Sequence, residues 1–217
     1  MIQTTPSLRA FAACVALLAW AALAVQLWLT MGIVLAQGRG FGMGLVVYFG
    51  FFTVLTNLLA ALVMTGQASN PGSAAYARAA DPVVMTTTAA AITMVGAVYF
   101  LILRHTWKPE GVQFWADVAL HYVVPTLVVV FWAWTVPARS VRWKDAPWLF
   151  AYPLGYLAYV FARGEWVQLY PYPFIDVLAI GLPAALLNAA GMMVAYALTV
   201  GAFCGLKMVL SASTSRK

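Results

Sequence analysis

Long apolar runs separated by short polar connections constrain this chain more than any other feature of its sequence. A helix needs about 20 consecutive, mainly apolar residues to cross the hydrocarbon core of a bilayer. Charged residues make up only 8% of the 217 residues, too few to cover the surface of a water-soluble domain. We therefore predict an all-α, polytopic membrane protein, a bundle of six transmembrane helices that forms one domain over residues 1–217. The predicted spans cover residues 7–30, 45–65, 82–103, 113–134, 148–162 and 183–206.

The distribution of lysine and arginine predicts that both termini are cytoplasmic. With six spans, both tails and the second and fourth connections lie on one side of the membrane, and basic connections remain in the cytoplasm. That side would carry Arg9, Arg78, Arg139, Arg142, Lys144, Lys207, Arg216 and Lys217, and the opposite side only Arg39, Arg104, Lys108 and Arg163. These residues are scattered, with no basic cluster between aromatics, so the net charge of +6 does not indicate a nucleic-acid partner.

Two polar side chains, Thr53 and His121, lie inside apolar runs at depths that we expect to match. Each is placed roughly 12 Å below the outer boundary of its span, at 1.5 Å per residue. An ionisable group in a span is costly and is by default a functional-site candidate. Histidine takes up a proton near neutral pH, and a threonine hydroxyl gives it a proton to accept. The alternatives are that Thr53 bonds its own backbone and that His121 joins helices as a buried polar residue.

The neighbours of His121 favour a catalytic role. Asp117 precedes His121 by four residues and lies on the same helical face, where its carboxylate is placed to accept from one ring nitrogen and leave the other free as a base. A solvated position for Asp117 at the membrane interface is the alternative. Pro125 lacks the N–H that would bond the carbonyl of His121, so we expect a kink at the histidine.

Other polar residues are candidates to support the pair or bind substrate. Asn57 follows Thr53 by four residues and is placed to bond a reacting group or a neighbouring helix. Thr56 is a rival nucleophile, rotated from Thr53 by about 60° on the helix. Tyr156 is expected near the depth of the pair. Arg163 is placed either to bind an anionic head group near the outer surface or to extend its charge to the interface.

These residues leave three functions open. The first is an intramembrane lipid hydrolase in which Thr53 attacks an ester and His121 transfers the protons. The second is a non-enzymatic membrane protein that binds or carries a lipid or another hydrophobic small molecule, and the third is a structural subunit. For the hydrolase we expect a lipid-sized cavity lined by Thr53, Asn57, His121 and Tyr156. The sequence has no zinc-ligand spacing, nucleotide-binding glycine pattern or serine elbow, so we predict no metal and no cofactor.

Several motifs resemble bacterial relatives of the androgen-induced protein family: "FFTVLTN", "LHYVVP", "AYPLGYLAYVFARG" and "YPYPFIDV". The resemblance implies six spans with cytoplasmic termini in a bacterial inner membrane. It also implies hydrolysis of fatty acid esters of hydroxy fatty acids by an intramembrane threonine and histidine. Carried over by motif, these two residues fall on Thr53 and His121. The spacing around the threonine, and between the histidine and its proline, differs slightly from that of animal members, so Thr56 remains an alternative nucleophile.

Overall fold

The computed structural model describes residues 4–106 and 108–214, and the chain is all-helical over this part, without β-strands. Arg216 and Lys217, which entered the prediction of orientation, lie outside the described residues. The α-helices are α1 (Pro6–Ala36), α2 (Phe41–Tyr48), α3 (Phe52–Ala68), α4 (Ala74–Ala79), α5 (Pro82–Leu101), α6 (Gly111–Val118), α7 (Val124–Thr135), α8 (Ala146–Val167), α9 (Val177–Ile180) and α10 (Leu182–Thr214). A π-helical turn at Ala119–Val123 joins α6 to α7, and short 3₁₀ turns lie at Leu103–His105, Trp143–Asp145 and Pro173–Ile175.

The apolar helices indicate a membrane protein. Among the described residues, 4 helical segments are long and apolar enough to cross a bilayer: Pro6–Ala36, Pro82–His105, Gly111–Thr135 and Leu182–Val209. A fifth is obtained if α2 and α3 form one span, although their axes are bent by 79°. The fifth predicted run falls in α8, which has 22 residues but is not among these apolar segments.

Small residues let the central helices approach one another closely. On α1, the buried Ala12, Ala16 and Ala19 recur every three or four residues, and α1 packs along α3, where Ala60 and Ala61 are fully buried. Small side chains at such positions are typical of helix contacts inside a bilayer. α3 in turn packs on α5, which also contacts α7, α8 and α10. α5 is therefore the central helix of the bundle.

The second predicted span is broken rather than continuous. α2 ends at Tyr48 and α3 begins at Phe52, so the helix predicted for the span over 45–65 is interrupted at residues 49–51. Side chains of α8 satisfy the carbonyls that the break exposes: the Tyr156 hydroxyl donates to Gly50 O at 3.0 Å, and Arg163 Nε donates to Val46 O at 3.0 Å. The cationic guanidinium also suits the negative end of the α2 dipole.

Gly50 leaves room at the break for the Arg163 guanidinium, which a larger residue would displace. A Cβ atom on Gly50 would lie 2.8 Å from Arg163 Cζ, closer than carbon atoms approach. The arginine is buried, with 6% of its surface exposed, and its Nη1 also donates to Leu169 O at 2.6 Å. It neither extends to the interface nor lies free to bind a head group. Its observed role is to hold the end of α2 against α8, which places the first turn of α3 inside the bundle.

Candidate active site

Thr53 is the second residue of α3 and lies beside His121. Its Oγ1 is 3.3 Å from His121 Nε2 and 3.4 Å from the hydroxyl oxygen of Tyr172. The alternative role for Thr53, bonding to its own backbone one turn back, does not occur, because the helix begins only at Phe52 and no helical turn precedes the threonine. The structure thus brings together the two residues that the sequence singled out. Thr53 and His121 meet at a helix break. The sequence-based expectation that they lie at the same membrane depth had assumed that both of their spans are unbroken helices.

His121 is oriented by Asp117. The ring nitrogen Nδ1 lies 3.0 Å from the Asp117 backbone carbonyl and 3.3 Å from the carboxylate oxygen Oδ1. Because both atoms are acceptors, the neutral ring carries its proton on Nδ1, and Nε2 is left to accept from Thr53. Asp117 is 4% exposed, so it is not a solvated interface residue. The ring of Tyr99 stacks on the imidazole with centroids 4.0 Å apart, which limits the other orientations of the histidine.

A π-helical turn, rather than a simple proline kink, carries His121. The N–H of Val124 donates to Ala119 O, five residues back. The same register would pair Leu120 O with residue 125, which is proline and has no N–H. Asn57 Nδ2 supplies the donor instead, at 3.1 Å from Leu120 O. The turn therefore depends on a side chain from another helix.

Asn57 ties α3 to the π-helical turn that carries His121. Its Nδ2 donates both to Leu120 O and, at 2.9 Å, to Thr53 O. The residue is completely buried. Both Nδ2 protons are used by these two carbonyls and Asn57 lines neither of the two cavities described below, so its observed role is to join the two elements, the second of the two roles expected for it. A single side chain thereby fixes the distance between the elements that carry Thr53 and His121.

Thr56 and Tyr156 have partners away from the histidine. The Thr56 hydroxyl bonds the Tyr152 hydroxyl at 2.9 Å, and the threonine has no exposed surface. The Tyr156 hydroxyl is occupied by Gly50 O, as described above, while its ring lines a cavity. Of the two candidate nucleophiles, only Thr53 lies within hydrogen-bond distance of the histidine.

Tyr172 completes the surroundings of Thr53 and was missed as a site residue from the sequence. Its hydroxyl accepts from the Thr53 N–H at 3.3 Å and also lies beside the Thr53 hydroxyl. The motif "YPYPFIDV" contains it between Pro171 and Pro173, which restrict the backbone of the loop. The two prolines were the one sign in the sequence that this loop has a defined conformation. Nothing in the sequence showed that the loop reaches α3.

Two cavities meet at Thr53. The first, of about 680 Å³ including space open to the outside, lies among α5, α8 and α10 and has an almost entirely apolar wall. The second, of about 1190 Å³ including space open to the outside, has His121 and Asp117 in its wall. Both are lined by Thr53, Leu103 and Tyr172. The expectation of one cavity shared by Thr53, Asn57, His121 and Tyr156 is therefore wrong: His121 lines the second cavity, Tyr156 the first, and Asn57 neither.

No protein-family model, no curated protein and no solved structure matches this chain. Within the part of the chain that the structure describes, no group of His, Cys, Asp and Glu side chains is placed to hold a metal ion. Four functional groups lie at and around Thr53. These are a hydroxyl, an oriented imidazole, a buried carboxylate and a phenol.

Proposed function

We propose that this protein is an intramembrane hydrolase of fatty acid esters, with Thr53 as the nucleophile and His121 as the general base. One observation carries the proposal: Thr53 Oγ1 lies 3.3 Å from His121 Nε2, while Asp117 holds the opposite ring nitrogen. A hydroxyl, a base and a group that orients the base are the parts of a hydrolytic triad, which is recognised by geometry and not by sequence order.

The reaction follows from the position of each proton. His121 Nε2 takes the hydroxyl proton as Thr53 Oγ1 bonds to the ester carbonyl carbon. When the tetrahedral intermediate collapses, the bond to the alcohol oxygen breaks and His121 returns the proton to that oxygen. A water molecule then attacks the acyl-threonine, gives its proton to His121, and releases the fatty acid as Thr53 recovers its hydrogen. The net change is one ester and one water converted to one acid and one alcohol.

The start of α3 and Tyr172 supply stabilisation for the oxyanion that forms. The first N–H groups of a helix have no partner within the helix, and its N-terminal end carries partial positive charge. Tyr172 has a hydroxyl at 3.4 Å from Thr53 Oγ1, and in this proposal it donates to the carbonyl oxygen of the substrate that Thr53 attacks. Donors placed in advance at such a point are commonly the largest single contribution to acyl-transfer catalysis.

We infer a topology of six spans with both termini in the cytoplasm. The broken pair α2–α3 forms one span and α8 another, beside the 4 apolar segments. A relation to the androgen-induced protein family and a location in a bacterial inner membrane are part of this proposal, and three of the motifs that carry the resemblance converge in the fold. "FFTVLTN", "LHYVVP" and "YPYPFIDV" contribute Thr53, His121 and Tyr172, which meet at one point.

A non-enzymatic protein that binds or carries a lipid is the second candidate. The two cavities favour it as much as they favour the hydrolase, because apolar walls with a few convergent polar groups suit any lipid. The two candidates differ in the reactivity of Thr53. A carrier has no need of a hydroxyl that an oriented imidazole can deprotonate.

Labelling with an alkyl fluorophosphonate tests the proposal directly. We expect the purified full-length protein to be labelled at Thr53, mapped by mass spectrometry, and to release fatty acid from long-chain esters. Labelling should be lost in Thr53→Ala and His121→Ala. Thr93→Ala is the matched control, because the Thr93 hydroxyl donates to its own helix at Ala89 O, 2.7 Å away. Absence of both labelling and hydrolysis over a broad ester panel would favour the lipid-binding candidate.

A further inference from the structure

We propose that the water for the second half of the reaction reaches His121 through the second cavity, from the end of the bundle opposite the N-terminus. In the topology inferred above, this end faces the outside of the cell. Gln113 lies along the route and is a positioning residue for the water. This inference rests on the proposed hydrolase function and deepens it, because it gives the route of the second substrate and places no limit on the ester.

A hydrolase inside a membrane needs a defined route for water. The acyl-threonine is released only when water attacks it and gives its proton to His121 Nε2. Because the hydrocarbon core of a bilayer holds no water, this water has to come through the protein itself. A water molecule in a protein interior needs about two to four polar partners. The route should therefore be the cavity whose wall offers such partners next to His121.

The first cavity does not offer these partners. Its wall is almost entirely apolar, and His121 does not line it. Tyr156 and Tyr196 line it, but each hydroxyl already donates to a backbone carbonyl, at 3.0 and 2.9 Å. Apart from Thr53 and Tyr172, which line both cavities, the wall is left with hydrocarbon and thioether groups. Such groups do not hold a chain of water molecules.

The second cavity has polar side chains along one line of a mainly apolar wall. Gln113, Asp117 and His121 follow one another at intervals of four residues along α6 and the π-helical turn, and all three line the cavity. Four helical residues rise by about 6 Å. This is close to the roughly 5.5 Å that one water molecule spans between two hydrogen-bonded groups. Water can therefore pass from one polar group to the next.

Both ends of this line are accessible. At the inner end, the His121 side chain is 13% exposed. Because His121 lines the second cavity and not the first, water reaches the ring from the second cavity. At the other end, Thr106 lies in the connection between α5 and α6, is exposed, and lines the same cavity. The line thus joins the base to the connection between these two helices.

The connection between α5 and α6 lies far from the N-terminus. The backbone N–H of Thr4 donates to the Tyr76 hydroxyl at 3.1 Å, so the N-terminal end of the bundle is also the end at which α5 begins. α5 has 20 residues, and a helix of this length is about 30 Å long. Its last turn and the connection that follows are therefore at the opposite end of the bundle.

A second helix faces Gln113 with matching polar groups. Gln26 Oε1 accepts from Gln113 Nε2 at 2.9 Å, and Gln26 Nε2 donates to the Thr30 hydroxyl at 3.3 Å. All three residues line the second cavity. Within the part of the chain that the structure describes, no group donates to Gln113 Oε1. This oxygen is therefore left to accept from water.

The kinetics of Gln113→Leu in the purified full-length protein test the role of this residue. The substitution removes the amide, so the second step should slow and become rate-limiting. Acyl-threonine should then accumulate, seen as a burst of released alcohol and as a mass increase of the protein. We expect kcat to fall by about tenfold with kcat/KM unchanged, because kcat/KM reports the first step. Gln113→Asn, which stays polar, should retain most of kcat. Gln37→Leu, at the exposed end of α1, is the control.

Thiol accessibility tests the direction of the route without any need for hydrolysis. The two cysteines of the chain are first replaced by serine. A membrane-impermeant cationic methanethiosulfonate should react with Gln26→Cys from the side opposite Ser7→Cys, which marks the N-terminal end. Gln26 lies ten residues before the end of α1, about 15 Å along the helix. The matched control is Ala24→Cys, which is exposed on the same helix, lines neither cavity and should meet only lipid.

Together the two measurements separate the route from the proposed function. If esters are hydrolysed but Gln113→Leu leaves kcat unchanged or lowers kcat and kcat/KM equally, the route is overturned and the hydrolase stands. The same holds if the thiol of Gln26→Cys does not react from the side opposite Ser7→Cys. If no ester is hydrolysed but this thiol reacts as expected, the hydrolase is overturned and the aqueous route stands. If neither hydrolysis nor labelling occurs, both are overturned.

Discussion

The surroundings of Thr53 and of Thr56 differ sharply, although the two threonines lie less than one turn apart on α3. Thr53 lies in the walls of both cavities, beside the His121 imidazole and the Tyr172 phenol. Thr56 is sealed from solvent, and its hydroxyl bonds Tyr152 at 2.9 Å. Two threonines on the same helix therefore have different surroundings. The Thr53 hydroxyl faces a base and two cavities, whereas the Thr56 hydroxyl is buried in the packing between α3 and α8.

The helix break also sets Thr53 apart from several other threonines of the bundle. Six threonines inside the helices donate to the carbonyl four residues back: Thr65, Thr88, Thr93, Thr126, Thr135 and Thr199. This bond occupies the hydroxyl and is the usual state of a threonine in a span. Thr53 lies too close to the start of α3 to make it. The break thus leaves the Thr53 hydroxyl available to an external base.

The largest expected effect comes from removing either member of the pair. Thr53→Ala or His121→Ala should lower kcat by roughly 10⁴-fold or more, and the double variant should lose no more than either single one, because residues that act as a unit are non-additive. Ester hydrolysis in liposomes measures it. If Thr53→Ala keeps full turnover while Thr56→Ala abolishes it, the assignment of the two threonines is reversed.

Removing the phenol oxygen beside Thr53 should have the next largest effect. Tyr172→Phe should lower kcat by roughly 10²–10³-fold, as expected for the loss of one donor to the oxyanion. The ring packing on Phe51 and Phe174 is retained, so the protein should still fold. Tyr159→Phe, on the exposed surface of α8, is the control. Unchanged kcat in Tyr172→Phe would show that the hydroxyl only caps the start of α3.

A smaller loss is expected for Asp117→Asn. The Asp117 backbone carbonyl, 3.0 Å from His121 Nδ1, survives the substitution and still orients the ring. We expect kcat to fall by about tenfold, below the roughly 10²–10⁴-fold contribution of general acid–base catalysis as a whole. A steady-state assay, with elution on size exclusion as a check of folding, measures this. A loss equal to that of His121→Ala would mean that the carboxylate does more than position the histidine.

The smallest effect on activity should come from Thr56→Val. The substitution keeps the shape of the side chain and removes its bond to Tyr152, so thermal unfolding in detergent should show a loss of about 1 kcal/mol. Hydrolysis should change by no more than about threefold, since a destabilisation of this size leaves a folded protein folded. Thr93→Val is the matched control for removing a threonine hydroxyl from the bundle. A collapse of activity with intact folding would bring Thr56 back as the nucleophile.

Much of the candidate site could be predicted from the sequence because its residues are conspicuous in apolar surroundings. Thr53, His121 and Asp117 were singled out by polarity and spacing, and the structure places them together. Of the two roles expected for Asn57, the structure shows the bond to a neighbouring helix, and it shows Arg163 bonded to backbone carbonyls rather than extended to the interface. Both side chains bond backbone carbonyls that became free at a π-helical turn and at a helix break. Neither irregularity has a local sequence signature strong enough to predict it.

The sequence by itself determined that this chain forms apolar helices suited to a membrane, and which few polar groups lie within them. Length and hydropathy are local properties, and a bilayer leaves the backbone few alternatives to a helix. Only the tertiary structure decided that α3 begins at Phe52, that the loop carrying Tyr172 reaches Thr53, and that two cavities meet there. At these places the backbone is irregular, and its carbonyl and N–H groups form hydrogen bonds with side chains from helices and loops that are distant in sequence. No local sequence pattern specifies such partners.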